Sequence, residues 1–175
     1  MKTMILLAEG LEECEALMTY DLLTRAGIDT DLIGLQNDIT SSHHVHLFAE
    51  KTIQDIDPND YDVLVLPGGM PGTKNLEDHP LVQAFLDHFY NRGKLICAIC
   101  AAPSILIHRG WLSDQEFTCF PGFESGKIST GEKVHKCGNI ITSRGLGAVC
   151  EFASAIITEL KDKETADDVL KRIQA

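Results

Sequence analysis

Basic residues are scarce: 15 lysines and arginines stand against 26 aspartates and glutamates, a formal net charge of -11. A chain this acidic has no electrostatic footprint for phosphate backbones or anionic headgroups. Neither nucleic acid nor a membrane surface is therefore expected as a main partner. Long apolar runs are also missing. No stretch approaches the ~20 residues that span a bilayer, and the run over residues 4–8 meets Glu9 too soon to be a signal peptide. The expected compartment is the cytoplasm. Repeats, low-complexity segments and linkers are absent as well. Residues 1–175 read as one domain, long enough to bury a full core. Hydrophobic residues at 44% and charged residues at 23% are ordinary for a globular chain.

Six cysteines are present: Cys14, Cys97, Cys100, Cys119, Cys137 and Cys150. A reducing compartment makes disulfides unnecessary. Cys97 and Cys100 have C-x-x-C spacing, but Cys97 falls inside the apolar run Leu95-Ile96-Cys97-Ala98-Ile99. Three positions along a strand point to opposite faces, so Cys97 reads as a core residue and not as half of a redox dithiol.

Strands and helices alternate throughout. Strands are expected at residues 4–8, 29–35, 61–66, 94–99 and 139–143, with an edge strand or hairpin at 39–49. Weaker strand candidates lie at 117–119 and 134–137. Helices are expected at 12–26, closed by Gly27, and at 80–90, 101–108, 146–160 and 165–173. This alternation implies an α/β fold with a doubly wound, mostly parallel sheet and helices on both faces. Ligands in such sheets bind at the carboxyl ends of the strands. The turns there are Glu9-Gly10-Leu11, Pro67-Gly68-Gly69, Cys100-Ala101-Ala102-Pro103 and Arg144-Gly145-Leu146-Gly147.

Cys100 stands where a buried strand stops and a helix begins, with Ala98 and Ala102 two residues to either side. Small residues in that frame permit a nucleophile elbow, a tight turn that exposes the reactive atom. A helix start beneath the sulfur would favour the thiolate. Glu15 shares the apolar face of the first helix with Leu11, Met18 and Leu22. Desolvation there would keep its carboxyl protonated and able to donate a hydrogen bond to a nearby sulfur. The alternative is an ion pair with Arg25. Gly68 and Gly69 could bring backbone N–H groups close to a ligand and, with the N–H of Ala101, form an oxyanion hole. The run His43-His44-Val45-His46 lacks acidic or thiol neighbours in sequence and reads as a solvated edge strand, so no metal site is expected. His108 reads as a helix cap and His135 as solvent-facing. No histidine stands beside Cys100.

Four segments in order, Ala8-Glu9-Gly10-Leu11-Glu12-Glu13-Cys14-Glu15, Val65-Leu66-Pro67-Gly68-Gly69, Ala98-Ile99-Cys100-Ala101-Ala102-Pro103 and Thr142-Ser143-Arg144-Gly145-Leu146-Gly147, resemble the ThiJ/PfpI superfamily. Within it, the chain looks like the deglycase branch and its bacterial ThiJ-type relatives. The resemblance implies a flavodoxin-like fold, a homodimer, and no metal or organic cofactor. It also implies that Cys100 is the nucleophile, that protonated Glu15 contacts its sulfur, and that N–H groups of Gly69 and Ala101 hold an oxyanion. Gly68 and Arg144 are expected in support. Two departures stand out. Animal members carry a histidine where this chain has Phe120, and the segment between Pro121 and Glu132 is shorter than theirs. The peptidase branch has a histidine directly after the nucleophile, where this chain has Ala101. The activity implied is conversion of reactive dicarbonyls or their early protein and nucleotide adducts. A redox sensor or holdase chaperone using Cys100 oxidation is the rival reading. A thiamine-pathway role finds no support in the residues.

Overall fold

The computed structural model describes residues 1–112 and 116–175. Its main sheet is seven-stranded. β1 (Lys2–Leu7) pairs in parallel with β2 (Asp29–Gly34) on one side and, across the switch point, with β6 (Val63–Leu66) on the other. Between these in sequence lie β3 (Asp38–Thr40), β4 (His46–Phe48) and β5 (Lys51–Thr52), the last pairing with β2. β7 (Leu95–Ile99) follows β6, and the hairpin of β8 (Val134–Cys137) and β9 (Ile140–Ser143) completes the order β5-β2-β1-β6-β7-β9-β8. All pairs in this sheet are parallel except β8 with β9.

Helices cover both faces, as parallel strands require. They are α1 (Glu13–Arg25), α2 (Gly72–Asp78), α3 (Pro80–Asn91), α4 (Pro103–His108), α5 (Val149–Leu160) and α6 (Lys163–Arg172). The pleat sorts the strand residues into two cores. Met4, Leu6, Leu64, Leu66, Ile96 and Ala98 pack with Phe85, Phe89 and Ile105 of α3 and α4. Their neighbours Ile5, Leu7, Val63, Val65, Cys97 and Ile99 pack with Leu22 of α1 and with Phe152 and Ile156 of α5. Cys97 is fully buried there, and burial pushes its thiol well above the ordinary range. It is the core residue its apolar run suggested.

Several boundaries differ from the expectations. The hairpin at 39–49 is not an edge of the main sheet; β3 and β4 form a separate two-stranded ribbon. Residues 117–119 form no strand, although Phe117, Thr118 and Cys119 are buried. Their main chain is held by isolated bonds, such as Thr118 N–H to Thr142 Oγ1 at 3.0 Å, and not by a ladder. The helix expected from residue 101 starts at Pro103, and the one expected from 146 opens with the 3-10 turn Leu146–Ala148 before α5. α2 has no counterpart among the expected helices. Among the described residues no helix is long and apolar enough to cross a membrane.

Candidate active site

β1, β6 and β7 end side by side at the switch point, and their carboxyl-end turns carry the residues singled out above. β7 delivers Cys100, which takes a left-handed backbone with φ of 66°. That conformation is uncommon outside glycine and is held by its surroundings. Cys100 N–H donates to Ser143 O at 2.8 Å, and Cys100 O accepts from Phe120 N–H at 2.8 Å. Ala98 and Ala102 are fully buried on either side, which leaves no room for larger side chains in the turn. Pro103, with φ preset for a first turn, then opens α4. The strained elbow expected from the alanine spacing is present.

α1 delivers Glu15, which is 1 % exposed. Glu12 caps the helix, its Oε2 accepting Glu15 N–H at 2.7 Å, and this fixes where the Glu15 side chain leaves the first turn. Arg25 pairs with Asp21 at 2.6 Å, so the ion-pair alternative for Glu15 is closed. Instead Glu15 Oε2 accepts Gly68 N–H at 2.9 Å. The carboxyl also reaches the Cys100 thiol and the Leu146 N–H, while Oε1 is buried with no hydrogen bond of good geometry. A proton on Oε1 would give that oxygen a use. The N–H groups of Gly69 and Ala101 are close enough to the Cys100 sulfur to favour its thiolate.

Gly68 is where side-chain absence matters most. A Cβ there would stand 2.6 Å from Cys100 Cβ and 2.8 Å from Glu15 Oε2. Gly68→Ala should therefore force the two groups apart, with an overpacking cost of about 1–3 kcal/mol. The expected readings are a melting temperature lowered by several degrees and slower labelling of Cys100 by a thiol reagent. An unchanged melting curve with unchanged labelling would show that the contact is not tight.

The electrostatics couple the two groups. Burial is the largest influence on Glu15 and pushes it up to about 7, against hydrogen bonds from Gly68 N–H and the Cys100 thiol. Burial is also the largest influence on the sulfur, followed by the charge and the hydrogen bond of Glu15. Together they push Cys100 up to about 12, against the N–H groups of Gly69 and Ala101. The helix-start effect expected to favour the thiolate is outweighed, because α4 begins three residues further on and is only six residues long. Two of the raising causes exist only while Glu15 is ionised. Between about 7 and about 12 the pair therefore holds one proton and one negative charge. Whenever that proton sits on Glu15, the sulfur is a thiolate.

Next to the elbow lies a cleft of about 590 Å³, lined by Cys119, Phe120, Arg144, Gly145 and Leu146 among others. Gly145 separates it from the sulfur: a Cβ on Gly145 would sit 3.8 Å from Cys100 Sγ. Arg144 is exposed on the cleft wall. Phe120, 48% exposed, makes this wall apolar where a histidine would have offered a base.

The histidine run is arranged differently from the expected strand. His44 is in a turn with φ of 65°, and only His46 is in β4. His43 folds back over α1, its Nδ1 3.1 Å from Glu13 Oε1. Glu12, Glu13 and His43 offer ligand atoms all within 4.8 Å of one another and are the described residues best placed to hold a cation. These acidic neighbours are thirty residues away in the chain, which hides them from a local reading. His135 is only 19% exposed and meets Glu132 at 2.7 Å, so it is less open to solvent than expected.

A cysteine on a left-handed elbow at the switch point of a doubly wound sheet defines a class: flavodoxin-like α/β proteins with a cysteine elbow. The profile of the DJ-1/PfpI family matches residues 1–159, and the chain belongs to that family. Protein dj-1beta of Drosophila melanogaster is 35% identical, with 96% of this chain and 94% of that protein covered. A Caenorhabditis elegans protein named Glutathione-independent glyoxalase DJR-1.2 is 28% identical, covering 93% of this chain and 90% of its own length. The solved structure of oxidized Toxoplasma gondii DJ-1 superposes with a TM-score of 0.93 at 30% identity, covering 99% of this chain and 97% of that one.

Proposed function

We propose that the protein is a cysteine-dependent enzyme that converts reactive dicarbonyls such as methylglyoxal, or their early adducts with amines and thiols, without glutathione. One observation carries this reading: the buried Glu15 carboxyl lies against Cys100, which stands on a left-handed elbow close to the N–H groups of Gly69 and Ala101. The thiolate adds to the aldehyde carbon, forming a C–S bond, and the new oxyanion is held by those two N–H groups. Glu15, ionised once its proton has reached that oxygen, takes the proton from the aldehyde carbon and returns it to the neighbouring carbon, while the hydroxyl proton passes from the former aldehyde oxygen to the ketone oxygen. The resulting thioester is hydrolysed by water to lactate and free Cys100. The aldehyde carbon is oxidised and the ketone carbon reduced within one molecule, so the balance needs no external electron carrier. Because Cys100 itself supplies the thiol, glutathione has no role. The name of the C. elegans relative agrees with this chemistry.

The test is lactate formation from methylglyoxal by the purified protein with no added thiol. Turnover supports the proposal, and no lactate above the buffer blank overturns it. Hydrolysis of adducts on proteins or nucleotides is the deglycase form of the same chemistry. A second reading is oxidation of Cys100 to a sulfinate that signals stress. It is favoured by the T. gondii DJ-1 structure, which is that of an oxidized protein. The same N–H groups would hold sulfinate oxygens. We also propose a homodimer in the cytoplasm: Val45, just before β4, and Phe48, in β4, are exposed apolar residues that a second copy would cover. Light scattering should give twice the 19.2 kDa of one chain, and a monomer mass at micromolar concentration would refute it.

A further inference from the structure

A second cluster of polar side chains lies on the α2–α4 face of the sheet, apart from Cys100. Glu77 near the end of α2, His108 at the end of α4 and Ser125 in the loop after Phe120 meet in one line. His108 Nδ1 is 2.6 Å from Glu77 Oε1, and His108 Nε2 is 2.7 Å from Ser125 Oγ. A carboxylate can only accept, so the ring hydrogen belongs on Nδ1. Nε2 is then the lone-pair nitrogen and accepts the Ser125 hydroxyl hydrogen. That is the tautomer a general base needs.

Three further observations turn this line of contacts into a site. Glu77, His108 and Ser125 all line one cavity of about 230 Å³, with Met70, Thr73 and Phe123. Ser125 has a left-handed backbone with φ of 48°, as Cys100 does at the first site. Thr73 is 3 % exposed, and its hydroxyl has no hydrogen-bond partner among the described residues. The hydroxyl is shut off from the cavity in this rotamer, and turning it toward a bound carbonyl oxygen would supply the missing partner. A surface tether of the loop would need neither the cavity nor an unsatisfied donor in its wall. The loop also presents different residues to the two clefts: Phe120 and Pro121 to the Cys100 side, Gly122, Phe123 and Ser125 to this one.

We propose that Ser125, His108 and Glu77 form a second, hydrolytic site for small carboxylic esters, with Ser125 as nucleophile, His108 as general base and Glu77 as positioning residue. Ser125 Oγ attacks the ester carbonyl carbon while its proton passes to His108 Nε2. Rotation of the Thr73 side chain would turn its hydroxyl toward the tetrahedral oxyanion. Collapse expels the alcohol, which leaves with the proton from His108. Water, deprotonated by His108, then releases the acid and restores Ser125. Glu77 holds the ring in register and stabilises the imidazolium. The cavity volume suits short acyl groups, so acetyl and butyryl esters are the expected substrates.

The probe is an alkyl fluorophosphonate, which transfers its phosphonyl group to an activated serine with loss of fluoride. Mass spectrometry of the intact full-length protein and its peptides should show one adduct, on Ser125, absent in Ser125→Ala. His108→Gln should slow labelling by roughly 10²-fold, within the range for loss of a general base. In a Cys100→Ala background, hydrolysis of 4-nitrophenyl acetate should persist and disappear on adding Ser125→Ala. Glu77→Gln should lower kcat for that ester with KM unchanged, a split that a simple loop tether would not produce. Ser125→Ala should leave methylglyoxal turnover intact, which keeps this proposal separable from the Cys100 reading. An unmodified Ser125, labelling indifferent to His108→Gln, or ester hydrolysis lost entirely with Cys100 would each overturn it.

Discussion

Cys100→Ser is expected to abolish lactate formation from methylglyoxal, a fall of at least about 10³-fold, while the fold is retained. The magnitude follows from removing a nucleophile whose activation depends on its acidity. In the native pair one proton serves two groups, and its transfer to Glu15 leaves a thiolate without any change in net charge. A serine hydroxyl is several pKa units less acidic, so the same transfer to a carboxylate near 7 leaves almost no alkoxide. The shapes are nearly identical, and serine meets the same left-handed turn and the same N–H groups of Gly69 and Ala101. The melting temperature should therefore move by only a few degrees. Retained turnover in a folded Cys100→Ser protein would place the chemistry elsewhere.

Glu15→Gln should divide two properties that are joined in the native protein. Ionised Glu15 raises the sulfur through its charge and its hydrogen bond, and glutamine removes the charge. The Cys100 thiol should titrate well below 12 in this variant, read from thiolate absorbance against pH, and alkylation near pH 8 should quicken. Turnover should nevertheless fall by about 10²–10⁴-fold, the usual worth of a proton-transferring group. A variant that alkylates faster and turns over normally would remove Glu15 from the mechanism. Stability offers an independent check. The folded carboxyl titrates at about 7 against an ordinary 4.5, so the folded state binds the proton more tightly. Stability from this group is fully present below about 4.5 and is lost as pH rises to about 7, on the order of 3 kcal/mol in all. Glu15→Gln lacks that loss. Its stability relative to the native protein should rise between about pH 5 and pH 8, measured by denaturant unfolding at both values.

What a sequence displays is local, and this chain shows where locality suffices. The runs that form β6 and β7 are uninterrupted apolar residues, and the frame around Cys100 is a matter of two alanines and a proline within a few positions. Glu15 is visible because helix periodicity puts it on the face of Leu22. What stays hidden depends on contacts between distant segments. α2 is seven residues long, opens on Gly72 and buries Leu76 as its one large side chain, too little pattern to register. Residues 117–119 look like a strand because they are buried, yet single bonds to Thr142 and to Cys100 O hold that stretch and its neighbour Phe120. The sulfur's acidity is hidden for a similar reason. The helix start beneath it is legible in sequence, whereas the burial and the facing carboxylate that outweigh it depend on α1. Glu77, His108 and Ser125 sit on three unconnected segments, and no spacing rule joins them.

The turns after β1 and β6 are knitted main chain to main chain. Gly72 N–H donates to Gly10 O at 3.0 Å, Glu12 N–H to Gly68 O at 2.9 Å, and Gly10 N–H to Thr40 O at 2.8 Å. These bonds form only because glycine stands at the crossings: a Cβ on Gly10 would lie 2.4 Å from Pro71 Cδ, and one on Gly72 2.6 Å from Leu11 Cα. The turns that bring Glu15 and Gly69 to Cys100 are thereby tied to glycine, while in the 119–131 segment that walls the cleft a Cβ on Gly122, Gly126 or Gly131 would meet nothing within 4 Å. Such a protein can acquire new substrates by rewriting a single loop, and descendants with different specificities would inherit the same sulfur, carboxyl and pair of N–H groups.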